Sequence, residues 1–308
     1  MNKFTVVALI TILSIPIIGG SIQDAFALAV RPGFDSNTLA PNDDDSTIPA
    51  VNLGFSGDGK IKFFSFETTE AYVNNNGNIS FDNPLATFTP FDLSTTNRQI
   101  IAPFFADVDT RFTGMPVTYG TGTVDGRDAF GVNWVMVDCN GVATPNPPPF
   151  TVFNTFQLIL IERFDTGSMN FDIELNYDSI NWETGDVNDV ADCLGGSSAR
   201  IGYSDGTLAN SFEFPGSAVN GAFLDSGPVA TSLIQNSLNS PELGRYIIPV
   251  RNGIPNPEPI EIIGGEIIAI DSISLLLAAT TSTSLLITIL FSGIIIGSIL
   301  INKILKKN

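Results

Sequence analysis

The 308-residue chain contains no histidine, and that absence removes two large classes of chemistry. A Ser-His-Asp triad cannot be assembled without an imidazole base, and no zinc site can be built on His ligands. Cysteine is almost as scarce. The two present, Cys139 and Cys193, are too few to cage a structural metal, and a catalytic thiol would lack its activating base. Basic residues are few as well, with 14 Lys and Arg against 32 Asp and Glu, a net charge of −18. Such a surface repels phosphates, so nucleic acid is excluded as a natural partner. The acidic excess suits a soluble surface held in high salt or among divalent cations. Helical periodicity is missing from most of the chain, and only Thr231 to Leu238 invites a short helix.

Long uncharged runs stand at both ends. After Lys3 an apolar stretch from Phe4 to Gly20 leads to Ala25-Phe26-Ala27, the small-x-small form that a signal peptidase accepts, so residues 1–27 read as a removed secretory signal. Leu275 to Ile301 carries no charge and is followed by Lys303, Lys306 and Lys307. About 20 apolar residues suffice to cross a bilayer core, and trailing cations stay on the cytoplasmic side. The expected order is a β-rich body over 28–252, a spacer over 253–273, a transmembrane helix over 274–302 and a basic cytoplasmic tail over 303–308. That makes the membrane, through a single span with the body outside, the first expected partner. In an exported body, Cys139 and Cys193 most simply form one disulfide. Closing its loop restricts the unfolded chain by roughly 4 kcal/mol on a chain-entropy model.

Period-two patterning dominates the body. In "MNFDIELNYD" the apolar Phe171, Ile173, Leu175 and Tyr177 alternate with Asn170, Asp172, Glu174, Asn176 and Asp178, which predicts a strand with one face in a core and the other in water. Thr155–Arg163 is apolar on both faces, as a central strand would be. Further strands are expected at Ala129–Asp138, Lys60–Phe66, Ile100–Val108, Ala199–Tyr203 and Gly244–Val250, separated by Gly, Asn, Asp and Pro clusters. The predicted fold is all-β: a single antiparallel β-sandwich-like domain plus the C-terminal transmembrane helix. The stretch "YVNNNGNISF" (Tyr72 to Phe81) reads as strand, two-residue turn, strand, with Asn76-Gly77 supplying the positive φ angles of a mirror-image turn. It also contains Asn78-Ile79-Ser80, an N-glycosylation acceptor pattern that a paired strand would shield.

Several side-chain groups invite chemistry. Asp107 and Asp109, two apart on a strand, share a face and could chelate calcium, while Arg111 on the same face could pair with one of them instead. "PNDDDS" (Pro41 to Ser46) is a solvated turn with a secondary cation reading. Trp134 and Trp182 could be carbohydrate platforms, though Trp inside "GVNWVMV" fits a core better. Glu162, Asp172, Glu174 and Glu183 could supply the facing carboxylates of a glycosidase, a pair that must stand about 5 to 10 Å apart. In alternating strands such carboxylates are the expected water-facing half, so no enzyme, no catalytic residue and no cofactor other than possible calcium is expected.

The motifs "YVNNNGNISF", "IIAPFFADVDTR" (Ile100 to Arg111), "NTFQLILIER" (Asn154 to Arg163), "NFDIELNYDSINWETGD" (Asn170 to Asp186), "ARIGYSDG" (Ala199 to Gly206) and "FEFPGS" (Phe212 to Ser217) occur in an ordered series. With the closing "SPELGRYIIPV" (Ser240 to Val250), the body resembles the nidogen-type extracellular, or NIDO, domain. That resemblance implies an extracellular module of a matrix or surface protein, active in adhesion or cell-matrix and envelope interaction, with no shared catalytic residues. A calcium-dependent or glycan-binding lectin-like module is the alternative. Cys-rich companion modules are absent, so the chain looks more like stand-alone microbial members. Its tail partly resembles microbial sorting signals, with Pro257-Glu258-Pro259 placed well before the apolar run, and is similar to membrane-anchoring tails of archaeal surface proteins.

Overall fold

The computed structural model describes residues 28–111, 114–139, 153–184 and 193–258. Fifteen strands run in chain order: β1 (Asn37–Thr38), β2 (Val51–Asn52), β3 (Ile61–Phe63), β4 (Phe66–Thr68), β5 (Glu70–Asn74), β6 (Asn78–Ser80), β7 (Gln99–Phe105), β8 (Thr118–Val124), β9 (Arg127–Val137), β10 (Asn154–Glu162), β11 (Phe171–Ser179), β12 (Arg200–Asp205), β13 (Ser211–Glu213), β14 (Arg245–Arg251) and β15 (Ile254–Pro255). One sheet has the order β1-β8-β9-β10-β11-β14-β15, and a second has the order β13-β12-β7-β6-β5-β2. Every pairing between them is antiparallel, and β3 with β4 forms a separate hairpin. The signal segment, the expected span over 274–302 and the basic tail lie outside the described residues. Among those described, no helix is long and apolar enough to cross a membrane.

The two sheets face each other across aromatic side chains. Phe104 of β7 meets Phe156 of β10 with ring centroids 5.3 Å apart, and Trp134 stacks on Phe156 at 5.2 Å. Tyr177 of β11 reaches across to donate its hydroxyl to the Pro103 carbonyl at 2.7 Å. Fully burying each such side chain contributes about 1.5 to 3 kcal/mol, so this layer is the main source of cohesion. Cys139 and Cys193 sit in the same cluster and are joined as a disulfide, their Cα atoms 6.3 Å apart.

The polar face of β11 departs from the alternation reading. Asp172, Glu174 and Asn176 are buried, Glu174 completely, although they alternate with core residues as expected. An irregular N-terminal strap, residues 28–36, lies over this outer face. Arg31 donates Nε and Nη2 to the Glu174 carboxylate at 2.6 and 3.0 Å, and Gln157 donates to the Arg31 carbonyl. Phe34 lies over Gly131, where an added Cβ would stand 2.4 Å from the Phe34 ring. Water is thus replaced by protein partners, which a sequence pattern of period two does not distinguish from solvent.

Three further expectations are corrected. Lys60–Phe66 is not one strand but the β3–β4 hairpin, reversing at Phe64-Ser65 with Phe64 at φ 50°. Thr231–Leu238 is a series of turns rather than a helix: Thr231 and Ser232 donate back to the Pro228 carbonyl, and the Asn236 amide claims the Val229 and Ser232 carbonyls. Side-chain competition of this kind is what disfavours Asn within helices. The start of the expected spacer belongs to the sheet, because Ile254–Pro255 pair with β14 at its edge, a position that tolerates Pro.

Candidate functional site

Three segments that the sequence keeps apart meet at one corner: the Asn-rich β5–β6 turn, the 41–46 loop and the end of β7. The turn itself differs from the expected two-residue type. Asn74 pairs with Asn78, leaving three residues, Asn75, Asn76 and Gly77, with only Gly77 at positive φ (68°). This is the arrangement of a three-residue hairpin loop with glycine in the left-handed position. Mirror-image two-residue turns occur elsewhere, at Asp125-Gly126 (φ 50° and 77°) between β8 and β9 and at Asn252-Gly253 (53° and 86°) between β14 and β15.

The tip is not a solvated turn. Asn74, Asn75, Asn76 and Asn78 are all buried, at most 1% exposed. Burying four amides is tolerable only if their donors and acceptors are matched. Asn75 Nδ2 donates to the carbonyls of Asp43 (2.6 Å) and Val108, and the Asn75 carbonyl accepts from Trp134 Nε1 at 2.8 Å. Asn76 Nδ2 donates to Asp44 Oδ1 at 2.9 Å while its Oδ1 accepts from the Val108 N–H at 2.8 Å. Asn74 Nδ2 donates to Asn78 Oδ1 and Ser80 Oγ, and Asn78 Nδ2 donates to the Asn76 carbonyl. The turn is therefore a polar plug that fastens the 41–46 loop and the β7 end to the sandwich. Asn78, placed in paired strand β6 with its amide consumed, presents no surface to a glycosylating enzyme once folded.

Carboxylates gather on the outer side of this plug. Asp43, Asp44 and Asp107 offer oxygens that lie within 4.8 Å of one another. Hard oxygen donors at that spacing are the chemistry of calcium ligation. Asp107 thus faces Asp43 and Asp44. Asp109 is 1% exposed and is taken by Arg111, which reaches its carboxylate at 2.6 Å and Asp43 at 2.9 Å. The Arg111–Asp109 pair is the alternative that the sequence offered for these carboxylates, and the signal for the grouping of Asp107 with Asp43 and Asp44 lay in the Asp run of the 41–46 loop.

The glycosidase candidates are each engaged by protein partners. Glu162 accepts from the Gly57 N–H, Asp172 is bridged by Arg163 and Arg251, and Glu174 is locked by Arg31 and Arg245. Glu183 is buried and accepts from the N–H groups of Gly221 and Phe223. Burial pushes its carboxyl up, and burial likewise raises those of Asp178 and Asp225. Trp134 and Trp182 are fully buried core residues. A surface recess of about 740 Å³ runs along the strap between Leu28, Arg31, Met115 and Thr155 and has Asp35 and Asp178 in its wall.

A family model described as "Nidogen-like domain" matches residues 69–123 and 115–252. The chain is 33% identical over 204 residues to alpha-tectorin of Mus musculus and of Homo sapiens, and 34% identical over 213 residues to that of Gallus gallus. These alignments take in 60% and 63% of this chain but only 9% and 10% of the relatives, so the chain spans about a tenth of their length. No solved structure matches it. With the family model covering more than half of its residues, the chain belongs to the nidogen-like (NIDO) domain family.

Proposed function

We propose that this is an exported cell-surface protein whose NIDO domain mediates adhesion, or binds matrix and envelope components, while a C-terminal span holds it in the membrane. The observation that carries the reading is the family match over 69–252, on a sandwich whose buried polar groups are spent on holding the fold. Anchoring is supported by the uncharged run Leu275 to Ile301 with three lysines after it, and export by the signal-like first 27 residues. Likeness to alpha-tectorin over a tenth of that protein's length supports an extracellular role without naming a partner. Display of many copies would turn weak contacts into avidity. Protease applied to intact cells should release the β-domain while the lysine-bearing tail stays with the membrane, and cells lacking the chain should adhere less. Recovery of the chain in the cytosol with Cys139 and Cys193 reduced would overturn the proposal.

A calcium-dependent mode of binding is the second reading, favoured by the grouping of Asp43, Asp44 and Asp107. Ligand binding to the folded state stabilises by roughly 2.7 kcal/mol at a hundredfold excess over Kd. Scanning calorimetry with calcium chelated and then restored should raise Tm, and Asp107→Asn should abolish the rise. An unchanged Tm would remove calcium from the account.

A further inference from the structure

We propose that Asn220-Gly221 is a self-modifying site, at which the backbone nitrogen of Gly221 attacks the Asn220 side chain and expels ammonia. An Asn-Gly pair has the least hindered nucleophile of any Asn-X sequence, and four such pairs occur in the chain. This pair alone among those in described residues has a buried carboxylate on the attacking nitrogen. Gly221 donates its N–H to Glu183 Oε2 at 2.8 Å, while Glu183 itself is only 1% exposed. That separation is the reach a general base needs.

The electrophile is prepared from the other side. Ser198, 4% exposed, donates its hydroxyl to Asn220 Oδ1, polarising the carbonyl on which negative charge develops. Ser198 also stands within hydrogen-bond reach of Glu183, and its single hydroxyl proton serves either the Asn220 carbonyl or the Glu183 carboxylate at any one time. Burial raises the Glu183 carboxyl, which strengthens it as a base. The geometry of the turn leaves room. Asn220 is exposed, the Ala222 N–H closes the turn onto the Val219 carbonyl, and nothing lies within 4 Å of where a Cβ on Gly221 would point.

The balance is complete without a cofactor. Glu183 takes the Gly221 amide proton, the nitrogen bonds to Asn220 Cγ, and the Cγ–Nδ2 bond breaks as the proton passes to the departing ammonia. The resulting succinimide is opened by water at either carbonyl, leaving an aspartyl or a β-linked aspartyl residue. One negative charge is added, and the β-linked product also lengthens the backbone of the loop that Glu183 fastens.

The test is ageing of the full-length protein at neutral pH, with peptide mass spectrometry reading ammonia loss and water gain at each Asn-Gly pair. Asn252-Gly253, in the β14–β15 turn with Asn252 exposed and Gly253 buried, is the internal comparison. Position 220 should convert at least about tenfold faster than position 252, because a positioned base contributes on the order of a hundredfold or more. Glu183→Gln and Ser198→Ala should each slow position 220 and leave position 252 unchanged. Since Glu183→Gln also affects the loop, Ser198→Ala is the control that keeps the fold, verified by an unchanged melting profile. Equal or slower conversion at 220 in the wild type would mean that the Glu183 hydrogen bond shields the amide instead. That result, or a rate indifferent to Ser198→Ala, overturns the proposal.

Discussion

Gly77 shows how much a single position can carry. A Cβ there would stand 1.7 Å from the Phe104 carbonyl oxygen, at a φ of 68° that side chains rarely adopt. Gly77→Ala must therefore move the turn away from β7 and break the amide network around Asn75 and Asn76. A loss of about 3 kcal/mol or more is expected, measured as a lower midpoint in urea. That this glycine ends a turn was legible from "NNNGN"; that the turn is buried was not. Asn is ordinarily a surface turn former, and nothing in a local window reveals that the 41–46 loop and the Val108 backbone will supply its partners. Asp107 was legible as a cation candidate for the same reason that its partners were not, since Asp43 and Asp44 stand more than 60 residues away in sequence.

At the scale of elements, the strap is what the strand pattern does not foresee. Its Arg31 enters a buried polar layer in which Glu174 also meets Arg245 at 3.5 Å and Asn176 at 2.8 Å. Hydrogen bonding to Glu174 raises the Arg31 guanidinium above its ordinary value, while burial lowers that of Arg245. Removing one partner of a buried ion pair is costly because the other charge is left behind. Arg31→Ala should destabilise by about 3 kcal/mol, and by clearly less in a Glu174→Gln background, as a double-mutant cycle in denaturant would show. Of the long strands, β11 was readable because apolar residues recur at every second position, and β9 and β10 because their runs of Val, Ile, Leu and aromatic side chains favour a strand. Short β1, β2, β13 and β15 were not, since two or three residues carry no period, and β8, "TYGTGTV", is hidden by its glycines.

For the whole molecule, acidity sets the response to pH. Asp178, Glu183 and Asp225 have raised carboxyl pKa values, so the folded state holds protons that the unfolded state has already released. Stability therefore rises as pH falls from neutrality through their folded values toward the ordinary carboxylate range. Relief of the self-repulsion of a chain at −18 acts in the same direction. Asp165, held low chiefly by its hydrogen bond to Arg163, and Asp92, held low by Ser94, act oppositely and lose their contribution as pH falls below that range. Tm should peak near about pH 5 and decline toward both pH 8 and pH 3, and Glu183→Gln should flatten the neutral limb of a melting-temperature profile.

By itself the sequence determined the β class, the antiparallel strands of the centre, the pairing of Cys139 with Cys193 and the nidogen-like kinship, because alternation, a two-cysteine count and ordered motifs are local or countable properties. Only the tertiary structure decided which polar residues meet water. Whether Glu174 or Asn75 is solvated depends on what distant chain lies over it, and the strap and the 41–46 loop are brought there by packing that no local period encodes.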